Sequence, residues 1–361
     1  MTRRVVNFSA GPAALPEPVL DRAREGLPVF GQTGMSVMEM SHRSAAYTEI
    51  HEGALALVRS LLGVPDGFEV LFLQGGATLQ FSMVPMNLLA PDRSADYVLT
   101  GSWSKKAFVE AKKHGRARVA GSTEDADGVF RRIPSPAELG LDPAASYLHL
   151  TTNNTIFGTQ WPELPDADAP LVADMSSDIL SRPIPWEKFG LAYAGAQKNL
   201  GPAGVTLVVV RRDLLARIPD DLPTMLDYRP HVEQGSRYNT PPTWSIYVTG
   251  LALEWVREQG GVEAMQRRSR ERARLLYDLL DAGDFYRGTA EPESRSLMNV
   301  TFRLPSEQLE QRFLAAAAER ELIGLKGHRS IGGIRASLYN AMPMAGVERL
   351  AELMEEFQRG A

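Results

Sequence analysis

The chain has 361 residues, 44% hydrophobic and 23% charged, with a net charge of −5 and no cysteine. Its length calls for two domains, and a mild acidic excess without a long basic run argues against nucleic acid as a partner. Without cysteine there is no disulfide, thiolate metal site or sulfur nucleophile, no metal centre is expected, and a cytoplasmic location fits.

The two arginines after Met1-Thr are not followed by the apolar core of a secretory leader, and no run approaches the roughly 20 apolar residues that span a bilayer, so no membrane partner is expected. Asn7-Phe-Ser-Ala-Gly-Pro-Ala-Ala-Leu-Pro16 is rich in turn formers and predicts an ordered loop, with a short helix over 18–26. Ile50, Ala54, Leu57, Val58 and Leu61 have helical spacing within 47–62, ended by Gly63. Strands are predicted at 69–73, 96–100, 147–151, 171–173 and 205–210, with helices after Gly75-Gly76 and over 103–114. This alternation predicts an α/β domain whose mostly parallel sheet is flanked by helices.

Composition shifts near Gly260-Gly261. An amphipathic helix over 243–258 precedes it. After it come a charged helix over 263–280, a strand at 299–303, a helix over 307–320, a strand at 333–338 and a last helix over 347–358. The pattern is that of a smaller α+β C-terminal domain, dividing the chain into 16–259 and, as the second unit, 1–15 with 260–361.

The chemistry concentrates in Tyr193-Ala-Gly-Ala-Gln-Lys-Asn-Leu-Gly-Pro-Ala-Gly204. Most lysines are solvated, but Lys198 is surrounded by small residues that let a bulky group approach its amine. Asp174 ends the apolar run Pro170-Leu-Val-Ala; such an acid is commonly a turn former or helix cap. Together, an amine and a carboxylate at the ends of two buried strands suit pyridoxal phosphate, which needs an amine for its aldehyde and an acid for its pyridine nitrogen. Gly75-Gly-Ala-Thr78, between strand and helix, is either a tight turn or a phosphate cup; it is neither a Walker loop nor a dinucleotide fingerprint. Trp103, just past a strand end, is either core or a plate for a cofactor ring. His42-Arg43 and Lys326-Gly-His-Arg329, with Arg335, gather cations that could converge on an anionic substrate.

The segments Asn7–Pro12, Ser36-Val-Met-Glu-Met-Ser-His-Arg43, Tyr193–Gly204, Tyr238-Asn-Thr-Pro-Pro-Thr243, Lys326–Arg329 and Arg335-Ala-Ser-Leu-Tyr-Asn-Ala-Met-Pro343 resemble the phosphoserine aminotransferase family, in the family's order and over nearly the whole chain. The resemblance implies the aspartate-aminotransferase-like type I fold, pyridoxal phosphate as cofactor, and a homodimer with shared active sites. It implies that Lys198 forms the Schiff base, Asp174 faces the pyridine nitrogen and Trp103 stacks on the ring. Ala77 and Thr78 would hold the cofactor phosphate, Gln197 would lie beside the lysine, and Thr155 would lie near the phenolic oxygen. Asn239 and Thr240 would reach the phosphate from the neighbouring subunit. Arg335 would take the substrate α-carboxylate, and His42, Arg43, His328 and Arg329 the distal anion.

The implied reaction is ping-pong amino transfer between glutamate and 3-phosphohydroxypyruvate in serine biosynthesis. The related phosphohydroxythreonine reaction of vitamin B6 synthesis is also compatible. A cysteine desulfurase would require the cysteine that is missing. A serine- or alanine-glyoxylate aminotransferase would give no reason for two His-Arg pairs. A scaffold that had kept only the fold would be expected to lose Lys198 or Asp174.

Overall fold

The computed structural model describes residues 4–360; residues 1–3 and 361, parts of the expected smaller domain, lie outside it. A seven-stranded sheet runs, in spatial order, Phe68–Leu73, Thr206–Arg211, Phe189–Gly195, Leu171–Asp174, Leu148–Thr151, Ser94–Leu99, Arg116–Ser122. Only Thr206–Arg211 is antiparallel to its neighbours; the other pairings are parallel. Near-continuous apolar runs such as Leu207-Val-Val-Val210 are what a strand covered on both faces requires.

Alternation along the strands sends side chains to two cores. Leu171, Ala173, Ala192 and Ala194 pack with Ala54, Val58, Ile246 and Leu253, from the helices Ala45–Leu62 and Thr243–Glu258. Val172, Leu191 and Tyr193 pack on the opposite face with Phe81, Val84 and Ala107, from Gly76–Leu88 and Ser102–Ala111. A third core joins Phe8 to Leu276, Val300, Phe302, Phe313, Val347 and Leu350. Its elements are the helices Gly261–Asp281, Glu307–Glu319 and Met344–Arg359 and a small antiparallel sheet in which Asn299–Arg303 pairs with Ile334–Ser337.

The predicted helices and strands are present within a few residues, with the helix expected over 103–114 ending at Ala111. Arg116–Ser122 was not predicted as a strand. It is an edge strand with Arg116 and Val119 exposed, so it lacks the apolar run that marks its neighbours. Among the described residues no helix is long and apolar enough to cross a membrane.

Candidate active site

The carboxyl ends of the parallel strands open into a cavity of about 310 Å³. It gathers Ala77, Thr78, Trp103, Thr155, Asp174, Gln197, Lys198, His328 and Arg335, together with Ala10 and Gly11 of the first loop. Lys198 lies in the connection between Phe189–Gly195 and Thr206–Arg211. That connection is closed at its base by the Gly195–Thr206 pair and by an Ala196 N–H donating to the Val205 carbonyl at 2.9 Å. The lysine therefore stands on a short loop fixed in the sheet.

The Lys198 amine donates to Thr155 Oγ1 at 3.0 Å. Burial lowers its pKa, a tendency opposed by Asp174 and reinforced by Arg335. Asp174 is raised by burial, against the Ser176 hydrogen bonds and the Lys198 charge. Both Ser176 donors, the backbone N–H at 3.0 Å and the hydroxyl at 2.6 Å, reach the same oxygen, Oδ1. Asp174 and Lys198 form no direct ion pair, so each feels the other's charge across the cavity.

The helix Gly76–Leu88 begins at the cavity and no side chain caps it, leaving first-turn N–H groups at Gly76, Ala77 and Thr78 to meet an anion. Gly75 enters that turn with φ +86°, and a Cβ there would lie 2.5 Å from a Leu79 methyl. Trp103 occupies the first turn of Ser102–Ala111, its indole covered by Lys106 Nζ at 4.3 Å from the ring centre. Arg335 projects from its strand with no carboxylate partner among the described ion pairs, and burial lowers its pKa. An unpaired buried guanidinium favours an incoming anion. His328 joins Ser330 Oγ at 2.7 Å, and burial followed by Arg335, Arg329 and Lys106 holds its pKa down.

Three polar atoms around this cavity are buried without a partner: Trp103 Nε1, Thr151 Oγ1 and Arg335 Nε. Buried polar groups are normally satisfied, so this lining is shaped for a polar, anionic guest. A free amine, a facing carboxylate, a flat indole and an uncapped helix end match the aldehyde, pyridine nitrogen, ring and phosphate of pyridoxal phosphate. A larger cleft of about 1220 Å³ beside Trp161 lacks this chemistry, since its Arg132, Arg182 and Lys188 are engaged by Glu138, Asp178 and Asp166.

The single chain leaves five expected site residues outside the cavity. Asn239 and Thr240 are exposed, with the Thr240 carbonyl accepting from this chain's own Gln74 at 3.4 Å. Arg43 and Arg329 are exposed, and His42 is half-buried with Nε2 unpartnered. The sequence reading missed Ser176, Thr151 and the supporting Tyr339. Only Ser176 had a local signal, a hydroxyl two residues after an acid, the spacing of a side-chain-to-backbone turn.

A class-V aminotransferase family model matches residues 5–350. The chain is 57% identical over 358 residues to phosphoserine aminotransferase of Geobacillus kaustophilus (strain HTA426), covering 99% of both chains. Its fold superposes on phosphoserine aminotransferase from Bacillus circulans subsp. alkalophilus with a TM-score of 0.97, at 52% identity and with 99% of each chain covered. The pyridoxal-phosphate-bound enzyme from Trichomonas vaginalis gives a TM-score of 0.93 at 39% identity, covering 98% of this chain and all of that one. The chain belongs to the class-V aminotransferase family, among its phosphoserine aminotransferases.

Proposed function

We propose that this chain is a pyridoxal-phosphate-dependent phosphoserine transaminase, exchanging the amino group between glutamate and 3-phosphohydroxypyruvate. The observation that carries the reading is the convergence of Lys198, Asp174, an uncapped helix N-terminus and an unpaired Arg335 on one cavity. When bound, pyridoxal phosphate supplies an aldehyde that exchanges amines and a ring that spreads the charge left when a substrate Cα loses its proton.

The protein's part is binding, orientation and proton movement. Asp174, kept in place by Ser176 at Oδ1, would hold its carboxylate against the pyridine nitrogen. The amides of Ala77 and Thr78 would receive the cofactor phosphate and Trp103 would cover the ring face, while Gln197 and Thr155 line the cavity beside the amine. Lys198, with its pKa lowered by burial, is the group that would take and return the substrate Cα proton. Arg335 fixes the substrate α-carboxylate with its fork of donors. His328 and Arg329 meet the distal phosphate or γ-carboxylate with His42 and Arg43, since arginine and histidine donors serve either anion.

Two coarser features complete the proposal. We read 16–259 as one domain and 1–15 with 260–361 as the other, supported by the separate core around Phe8 and Val300. We also infer a cytoplasmic homodimer in which Asn239 and Thr240, exposed here, face a neighbouring copy's cavity.

The test is a half-reaction panel. Enzyme loaded with pyridoxal phosphate is mixed with glutamate, phosphoserine, alanine or serine, and the bound-cofactor spectrum is followed. Glutamate and phosphoserine should convert it rapidly and alanine and serine slowly. Conversion by alanine as fast as by phosphoserine would instead favour a small-substrate aminotransferase.

A further inference from the structure

Tyr339 lies just beyond the strand Ile334–Ser337, four residues after Arg335, and is 3% exposed. It belongs to none of the sequence motifs' expected roles, yet it joins three parts of the molecule. Its hydroxyl donates to the Ala10 carbonyl at 2.8 Å and accepts from Asn299 Nδ2 at 3.3 Å. Asn299 in turn accepts from Asn153 Nδ2 at 2.8 Å and donates to Ser337 Oγ at 3.0 Å. The Thr155 and Ser337 hydroxyls also lie near enough to act on the Tyr339 phenol.

The groups that Tyr339 holds are those that touch the lysine. Ala10 and Gly11 form part of the cavity wall. Gly11 is pressed so closely on the lysine stem that a Cβ there would lie 3.3 Å from Lys198 Cγ. Three residues after Ala10, the Ala13 N–H donates to the Gln197 carbonyl at 2.8 Å. Thr155 Oγ1 is the atom that accepts from the Lys198 amine. A threonine hydroxyl has one hydrogen. If that hydrogen is directed at Tyr339, the oxygen must present a lone pair to the amine.

We propose that Tyr339 is a positioning residue for the Lys198 amine, acting through the Ala10–Gly11 wall and through the direction of the Thr155 hydroxyl. The inference rests on Lys198 being the reactive amine. The charged groups that act on that amine are Asp174, Arg335 and Asp178. None of them is removed by a change at 339. A fixed acceptor stabilises the protonated amine, so freeing Thr155 lowers the lysine pKa further.

The test is Tyr339→Phe in the full-length protein, which removes the oxygen and little else. In the cofactor-stripped protein, the rate of Lys198 reductive methylation is followed against pH by mass spectrometry. The Y339F chain should label Lys198 about 3- to 10-fold faster near pH 7, reflecting a lower amine pKa. In the loaded enzyme kcat should fall on the order of 10-fold with KM for glutamate changed less than twofold. Thr155→Val should shift the labelling in the same direction, and Y339F added to it should shift it little more. Tyr286→Phe, which removes a buried hydroxyl that donates to the Met354 carbonyl at 2.8 Å in the third core, is the structural control and should leave Lys198 labelling unchanged.

A Y339F labelling profile that coincides with the wild type overturns the proposal, as does an equal shift in Y286F. If Y339F does not accumulate folded, Tyr339→Met keeps a buried side chain without the hydroxyl and is judged in the same way. A wild-type Lys198 that labels like a surface lysine would instead overturn the reading of its reactivity, a result distinct from a failure of Tyr339 alone.

Discussion

Ser176 binds Asp174 twice at a single oxygen, through its backbone N–H at 3.0 Å and its hydroxyl at 2.6 Å. The carboxylate is thereby fixed in rotation, and its other oxygen has no protein donor among the described residues. Burial alone would favour the neutral acid, so these two bonds help keep the charge that a pyridine nitrogen needs.

Ser176→Ala should therefore raise the Asp174 pKa further. A hydrogen bond to a charged group is worth about 1.5–3 kcal/mol, so the acid limb of kcat/KM should move to higher pH by about one unit or more. The loss should be greatest at the acid end of the profile and smallest at pH 9. A pH–rate profile measures it, and an unmoved acid limb would contradict the assignment.

Lys198 makes the opposite linkage. Its folded pKa lies below the ordinary 10.5, so between the two values the unfolded chain binds more protons and stability rises with pH. Lys198→Met in the cofactor-stripped protein should raise the melting temperature at pH 7 and remove part of the alkaline gain. It should also abolish covalent retention of pyridoxal phosphate after borohydride reduction. Retention at another lysine would refute the amine's role.

His149 sets an acid limit on the fold. It stacks on Tyr97 at 4.7 Å, bonds the Tyr193 hydroxyl at 2.9 Å, and burial lowers its pKa from 6.5 to about 3. Between those values only the unfolded chain takes the proton, so stability falls as pH drops below 6.5, by about 1.4 kcal/mol per unit. His149→Phe should cost about 1–3 kcal/mol at pH 8, because the Tyr193 hydroxyl loses its partner, yet decline less steeply between pH 6.5 and 5. Denaturant titrations at several pH values give the comparison. His51, lowered to about 4 by burial, keeps its own contribution in both proteins.

The two ends of the substrate should separate by mutation. Arg335→Ala should reduce kcat/KM for glutamate, alanine and phosphoserine together, on the order of 100-fold for a lost charged contact of about 3 kcal/mol. Arg43→Ala should penalise phosphoserine and glutamate and spare alanine. Steady-state kinetics with the three substrates decides, and equal losses for alanine and phosphoserine would remove Arg43 from the distal pocket.

The parts of the fold that were legible carry their signal locally. Leu207-Val-Val-Val210 and Leu171-Val-Ala173 are apolar runs bounded by turn formers, Gly201-Pro-Ala-Gly204 before the first and Asp174 after the second, and the glycines around Lys198 and at 75–76 mark where chain must approach a guest. Less legible was whatever depends on distant packing. The reversed direction of Thr206–Arg211 is a property of its neighbours, and Arg116–Ser122 is half solvated and lacks an apolar run. In the site, Lys198 and Asp174 stood out because charge is rare beside buried strands. Thr151 and Tyr339 did not, because a hydroxyl in an apolar run looks like core until its neighbours are known. Asn239 and Thr240 were found only through resemblance, and one chain leaves them, like Arg43, at its surface.

The closed loop that carries Lys198 is held by the local pair Gly195–Thr206, but the walls around it come from as far apart as Ala10 and Arg335. A polypeptide still emerging from the ribosome can form the lysine hairpin well before its anion clamp has been synthesised. A truncated product ending before residue 335 would keep the amine and the phosphate cup but lack the group that grips the substrate α-carboxylate, so amine exchange with glutamate would mark finished molecules.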